Sequence, residues 1–412
     1  MSSFPHTQHL ERAGCPRTFE QLLDVVVDGA GTDVRHFQGL LAAVRSRPSF
    51  FEDFLPFLYC IALEARDVLP SPMPALSDEG EVSFDERQCA SVLANAFFCT
   101  FVDRVSENCR CADGYPSINF DELYEAPPGN TGELAKMKML FDYFDEIRRR
   151  RLSEEASMRR IRFLRRRAKD SSLEDWLACD TKLLAPRVYP LGRGLEETTG
   201  MLRVDFANRL VGGAAIAYGS VQEEIMFCEH PEMLVARLIC PPMEPDEAIF
   251  ISGAQRFSTH TGYARTLDHA GPFPPENNEP DLWVVAIDAL PIRSDEVALE
   301  FSRPFVLREL TKARAGFEFA EPPTDIATGN WGCGAFGGDV RLKSLIQWLA
   351  ASRSGKQLHY FPFDSQVIAR EFAPLATMLT ESGRTVGDLA QVLLCDLRPG
   401  NVYDFVRARL SA

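Results

Sequence analysis

Two neighbouring carboxylates behind a glycine turn are the residues of this chain best suited to chemistry. Glu223 and Glu224 follow Gln222 at the start of an otherwise apolar helical stretch (Ile225, Met226, Phe227). Gln222 stands ten residues past Gly212, in Val211-Gly212-Gly213-Ala214-Ala215. Paired acids of this kind can move protons or grip hydroxyls, although glutamates in a helix's first turn are also ordinary complements to its dipole. Their company favours chemistry: a glycine loop ahead, a helix that reads as buried, and Asp205-Phe206-Ala207-Asn208 closing the preceding strand. A second glycine-rich stretch runs from Gly329 to Asp339 and also opens onto a helix. Glycine lets backbone N–H groups approach a ligand, and a helix N-terminus adds partial positive charge. Two such loops predict a diphosphate held between them.

The second loop contains Gly332-x-Gly334-x-x-Gly337, formally a dinucleotide fingerprint. That fingerprint should follow directly on a strand, and Ala327 to Trp331 does not read as one. A nicotinamide-dependent oxidoreductase, with Asp364 as ribose-binding acid, is therefore a minor competitor.

These residues need a scaffold, and the hydrophobic period supplies it. Helical spacing dominates the first part: Phe50–Ala65, interrupted by Pro56; Arg87–Phe101, almost wholly apolar; and Leu134–Ile147. From about Met158 the period becomes two, with Ile161 and Phe163 alternating with arginines. Apolar strand-like runs follow at Met201–Phe206, Ala248–Ile251, Trp283–Ile287 and Leu358–Phe361. They alternate with helical patterns at Ser220–Cys228, Pro231–Leu238, Leu342–Ala351 and Val386–Leu394. The pattern predicts a helical domain over 1–155 and an α/β domain with a mixed sheet flanked by helices over 156–412. Ligands of open α/β sheets bind outside the carboxyl ends of strands, so the acids and loops predict a phosphorylated-sugar site there. Arg148–Arg151 and Arg165–Arg167 form a local basic run, read as a solvated helix end and an edge strand rather than an import signal or an anion surface.

Composition narrows the partners. The 412 residues carry 44 Lys and Arg against 59 Asp and Glu, a formal charge of −15, which argues against duplex nucleic acid as a direct partner. No apolar run is long enough to span a bilayer, and the N-terminus lacks a secretory pattern. The expectation is an intracellular protein that does not engage membranes. The 11 cysteines are scattered and read as reduced core thiols; the Cys109-Arg-Cys111 pair lacks zinc-finger partners, and neither a metal nor another cofactor is expected.

Several segments together resemble the poly(ADP-ribose) glycohydrolase family: Asp205-Phe-Ala-Asn208, Val211-Gly-Gly, Val221-Gln-Glu-Glu-Ile225, Thr261-Gly-Tyr-Ala264, Ala286-Ile-Asp-Ala289 and Ala327-Thr-Gly-Asn-Trp-Gly-Cys-Gly-Ala-Phe-Gly-Gly-Asp339. The likeness reaches into the helical part through Leu93–Phe101 and Tyr115–Phe120. It implies a helical accessory domain before a macrodomain, and exo-acting hydrolysis of ribose–ribose bonds in poly(ADP-ribose) that releases ADP-ribose. The alternative is a macrodomain that binds ADP-ribose without cutting.

By that likeness Glu224 is the catalytic acid/base, Glu223 and Asn208 hold ribose hydroxyls, and Gln222 belongs to the same signature. Gly212 and Gly213 form a diphosphate loop, and Asn330, Gly332, Cys333, Gly334, Ala335 and Phe336 a second loop around the ligand. Tyr263 and Phe363 pack on ADP-ribose, and Asp205 binds near the adenine end. The same likeness implies poly(ADP-ribosyl)ated proteins as partners and a place in the nucleus or cytoplasm. Three departures stand out. Ala214 replaces a glycine, His260 a tyrosine, and the chain after Phe363 is one residue short.

Overall fold

The computed structural model describes residues 5, 7–31, 37–77, 79–101, 116–127, 131–153, 159–319, 321, 325–398 and 400–411. Cys109-Arg-Cys111, Tyr115, the Pro128-Gly129-Asn130 turn and the 155/156 boundary lie outside them. Ten strands are described. β1 (Glu81–Asp85), β2 (Arg160–Arg167), β3 (Arg187–Val188), β4 (Leu202–Ala207) and β5 (Glu247–Ser252) precede the hairpin β6 (Ser258–Thr261) and β7 (Asp268–Pro272). β8 (Trp283–Asp288), β9 (Ile326–Thr328) and β10 (Leu358–Tyr360) follow. Eight of them form one mixed sheet in the order β1-β2-β5-β8-β4-β9-β10-β3. β4 runs parallel to β8 and β9, and β10 parallel to β9 and β3, whereas β1, β2, β5 and β8 pair antiparallel.

Alternation along β8 divides the protein into layers. Val284 and Ala286 enter a core shared with the helical half, while Val285 and Ile287 face a second core. Helices Arg303–Phe317 and Val340–Arg353 cover that second face. The first face is covered by the N-terminal helices, including Glu86–Phe97 and the 22-residue Thr131–Leu152. Glu86–Phe97 begins at a capping box, in which Asp85 accepts the Gln88 N–H and Gln88 accepts the Asp85 N–H. Its buried residues lie on every side, as its apolar sequence predicts.

Three expectations need correction. The helical half contains a strand: β1, with Val82 and Phe84 alternating with polar residues, closes the edge of the α/β sheet. β2 is therefore an interior strand. Its Arg165 is buried, pairs with Glu247 and donates to the Leu76 carbonyl. The other arginine run is likewise spent on acids: Arg148 on Asp53, Arg150 on Glu86 and Glu146, and Arg151 on Glu64. Finally, a strand does precede Gly329. At three residues, β9 is too short to show a period, and its hydrogen bonds with β4 and β10 make it a strand. No described helix is long and apolar enough to cross a membrane.

Candidate active site

The parallel strands β4, β8, β9 and β10 end at one edge, where Asn208, Ala289, Gly329 and Phe361 open a cleft of about 850 Å³. This is the carboxyl edge at which open α/β sheets place ligands. Glu223, Glu224, Asn208, Gln222, Tyr263, Phe363, Asn330 and Gly332–Phe336 all line it. Gly212, Gly213 and Asp205 do not.

The reason lies in how the Gln222–Glu229 helix meets the loop before it. Glu223 is buried, and its two carboxyl oxygens accept the N–H groups of Gly212 (2.7 Å) and Asn208 (2.8 Å). Glu224 accepts the N–H groups of Ala214 (3.2 Å) and Val221 (3.1 Å). It is the third residue of its helix and reaches back to the residue before the first turn, as the acid of a capping box does. Successive helical residues diverge by about 100°, and here the two carboxylates indeed rest on different amides. Both press on Gly213, where a Cβ would lie 2.5 Å from Glu223 Oε2 and 2.6 Å from Glu224 Oε1. The first glycine loop thus does not offer its amides to a ligand. The Gly212 N–H is taken by Glu223, the Gly213 N–H closes on the Leu210 carbonyl, and glycine is needed because two carboxylates crowd the backbone.

Asp205 sits in β4, fully buried, and neither carboxyl oxygen meets a hydrogen-bond partner among the described residues. Burial pushes its pKa well above the usual carboxylate range, and the charge of Glu224 pushes the same way. Burial also raises Glu223, reinforced by Asp205 and Glu224, against the pull of its two amide donors. Asp205 and Glu223, set beside Glu224, are buried acids whose protonated forms are both favoured. Asp205 is buried within β4 and does not line the cleft.

Gln222 spends its amide on β4, accepting the Phe206 N–H (2.8 Å) and donating to the Val204 carbonyl (3.2 Å). Asn330 likewise donates to the Pro362 carbonyl and accepts the Tyr360 hydroxyl. Both residues position the site's backbone, and their amide groups are occupied. The second glycine loop behaves differently. Among the described residues no acceptor takes the N–H groups of Gly334, Ala335 or Phe336, and Gly334 and Ala335 are exposed. Beneath this loop Lys343 is buried against the Trp331 ring (4.4 Å) and pairs with Glu309. The helix behind starts only at Val340, too late for a dinucleotide fingerprint in which the glycines open the helix.

Tyr263 and Phe363 approach with ring centroids 5.2 Å apart and are 36% and 49% exposed. Phe363 holds a φ of +55°, a strained conformation for a bulky residue that presents its ring to the cleft. Burial raises the pKa of the Tyr263 hydroxyl, against the pull of the Gln222 backbone at the start of the glutamate helix. His260 lines the cleft with Nδ1 on Glu229 (2.8 Å), which also pairs with Arg256. The departure at Ala214 costs nothing in backbone strain, because only Gly212 and Gly213 of that loop adopt positive φ.

Two positioning residues escape the sequence reading. Lys136 of the Thr131–Leu152 helix is fully buried, and its ammonium donates to the carbonyls of Ala217 and Gly219 (2.6 Å to the latter), just ahead of the glutamates. Arg237 donates to the Gly213 carbonyl and to the Ser117 carbonyl (2.8 Å to the latter). The signal for Lys136 is there: with Leu140, Tyr143 and Ile147 it falls on one buried helical stripe. The Gly192–Glu197 wall of the cleft carries no such signal.

Comparison with known proteins supplies the family. A family model described as poly(ADP-ribose) glycohydrolase, helical domain, matches residues 44–165, and one described as poly(ADP-ribose) glycohydrolase, macro domain fold, matches 173–370. Poly(ADP-ribose) glycohydrolase 2 of Caenorhabditis elegans is 31% identical over 380 residues, which cover 85% of this chain and 73% of that protein. The chain belongs to the poly(ADP-ribose) glycohydrolase family. It is thereby an enzyme of the glycosidase class. Probable poly(ADP-ribose) glycohydrolase 2 of Arabidopsis thaliana is 29% identical over 372 residues, covering 77% of this chain and 69% of that one. Poly(ADP-ribose) glycohydrolase 1 of Caenorhabditis elegans is 32% identical over 365 residues; these cover 84% of this chain but under half of the relative, 44%. The second glycohydrolase match spans the whole cleft from the Gly192 wall to Ser365.

Proposed function

We propose that this protein hydrolyses the ribose–ribose O-glycosidic bonds of poly(ADP-ribose) from the chain end, releasing ADP-ribose, with Glu224 as the proton-transferring group. On this reading residues 156–412 form the catalytic macrodomain, and residues 1–155 are an accessory domain that lends it β1 and Lys136. The observation that carries it is the pair of glutamates at the cleft, each seated on two backbone amides and both packed against Gly213.

The proposed sequence begins with the terminal ADP-ribose in the cleft. Its diphosphate lies along the free N–H groups of Gly334, Ala335 and Phe336, and its rings lie against Tyr263 and Phe363. Glu223 and Asn208 grip the ribose hydroxyls. Protonated Glu224 gives its proton to the leaving ribose oxygen as the glycosidic C–O bond breaks, and an oxocarbenium-like ribose develops. Water adds to that carbon and returns a proton to Glu224. Asp205, buried beside the glutamates, favours the protonated form of the cluster while substrate excludes solvent. Exo-action finds support in the wall where the Gly192 N–H meets the Phe363 carbonyl (2.9 Å), which ties two cleft-lining segments together on one side. Polymer attached to proteins is the natural substrate on this account.

Incubating the protein with end-labelled polymer and resolving the products tests the reading. Free ADP-ribose from the first time points supports it, oligomers as first products show internal cleavage, and tight binding without products shows a reader.

A further inference from the structure

We propose, resting on the glycosidase reading above, that Tyr218 is a stacking platform for the polymer unit on the leaving side of the scissile bond. Tyr218 is 78% exposed, the largest exposure among the large apolar side chains described. Single exposed apolar residues are ordinary on protein surfaces. This one differs in its mount and its address.

The mount is rigid. Ala217 and Gly219 on either side both give their carbonyls to the buried Lys136 ammonium, and both return their N–H groups to the Ala214 carbonyl (3.0 and 3.1 Å). The backbone that presents the ring is therefore pinned from two directions, so a ligand that stacks on it does not have to order the loop. The address is the acid's flank. A Cβ on Gly219 would lie 2.7 Å from Glu224 Cδ, so the backbone next to Tyr218 is packed on the carboxyl group assigned to proton transfer. Tyr218 itself stands outside the cleft that receives the terminal unit.

Chemistry then fixes what passes there. An acid must touch the oxygen it protonates, so the departing ribose lies against Glu224 and its chain leaves past Gly219. Each unit of a polymer of nucleoside diphosphates carries an adenine, and an exposed aromatic ring offers a base a stacking face without sequence demands. The −15 charge of the protein makes such a contact useful, because broad electrostatic attraction cannot hold a polyanion here.

The test compares wild type with Tyr218→Ala and Tyr218→Trp on long polymer, alongside calorimetry with ADP-ribose alone and thermal melting. Tyr218→Ala lowers kcat/KM for long polymer about tenfold, Tyr218→Trp restores it, and ADP-ribose affinity and melting temperature stay at wild-type values. A Tyr218→Ala enzyme within twofold of an active wild type overturns the platform and leaves the glycosidase reading standing. An equal loss of ADP-ribose affinity also overturns it, by placing the ring in the terminal-unit cleft. A wild type that releases no ADP-ribose overturns both.

Discussion

The two glycine-rich loops at the cleft look alike in sequence and do opposite things. In the Val211–Gly219 loop the amides are turned inward: Gly212 and Ala214 donate to Glu223 and Glu224, and Lys136 and Arg237 hold the carbonyls. In the Gly329–Asp339 loop the amides of Gly334, Ala335 and Phe336 meet no acceptor among the described residues. One loop spends its amides on the two glutamates, and on the proposed reading the other receives the phosphates. The difference teaches that glycine reports close approach to the backbone without naming what approaches. At Gly213 the visitor is a pair of carboxylates from the same chain. At Gly334 no described atom lies within 4 Å of where a Cβ would stand, and a φ outside the positive range leaves the site open to any residue.

That contrast can be broken by substitution. Gly213→Ala forces a Cβ into both carboxylates and a side chain into φ +44°, so kcat falls about 100-fold, the scale of a 1 Å misplacement, although this residue does not line the cleft. Steady-state kinetics check it; a variant with wild-type kcat would show that the glutamates tolerate the shift. Lys136→Met keeps the volume of the stem but leaves the Ala217 and Gly219 carbonyls buried without their donor. The loss of such a partner costs about 1–3 kcal/mol, seen as a lower melting temperature together with a kcat lower by roughly tenfold. ADP-ribose affinity, measured by calorimetry, is expected to hold, because the second loop stays intact.

Gly334→Ala makes the complementary cut. The empty protein has room for the methyl group, so melting temperature is unchanged, while a diphosphate resting on that backbone is pushed away and ADP-ribose binds about tenfold more weakly, ~1.4 kcal/mol. Unchanged affinity would move the diphosphate elsewhere.

The smallest expected effect is a stability effect of pH. Asp205 and Glu223 carry raised pKa values in the folded protein. The folded state therefore binds their protons more tightly than the unfolded chain, whose acids titrate near 4. Their contribution to stability is full below that pH and is lost as pH rises through the folded values. Asn does not titrate, so Asp205→Asn gains in melting temperature over wild type as pH goes from 5 to 8, by a few degrees at most. A gap that is flat or shrinking over that range would contradict the raised pKa values of these buried acids.

Much of this architecture follows from period alone. The period of two through Ile161 and Phe163, the apolar strands β4, β5 and β8 and the helices between them match their sequence patterns within a residue or two at most ends. The short strands β3 and β9 have two or three residues each, and so few residues show no period; their place is set by neighbours in the sheet, whereas β10 falls within the predicted apolar run Leu358–Phe361. β1 has alternating Val82 and Phe84, but a five-residue pattern beside long helical stretches carries little weight. At the site, the adjacency of Glu223 and Glu224 and their divergence on a helix could be read directly. The use of Gly212 and Gly213, the engagement of Gln222 and Asn330, and the burial of Asp205 could not, since each depends on what the fold brings to its side chain or amide.

The central claim is that Glu224 moves the proton while its neighbour grips the sugar. Glu224→Gln keeps the shape and one of the two amide contacts but removes the titrating group. The measurement is single-turnover cleavage of labelled polymer by this variant, with calorimetric binding of ADP-ribose on the same preparation. The account predicts a rate reduced by about 10²–10⁴ with ADP-ribose affinity within a few-fold of wild type. Cleavage by Glu224→Gln at near wild-type rate would contradict it.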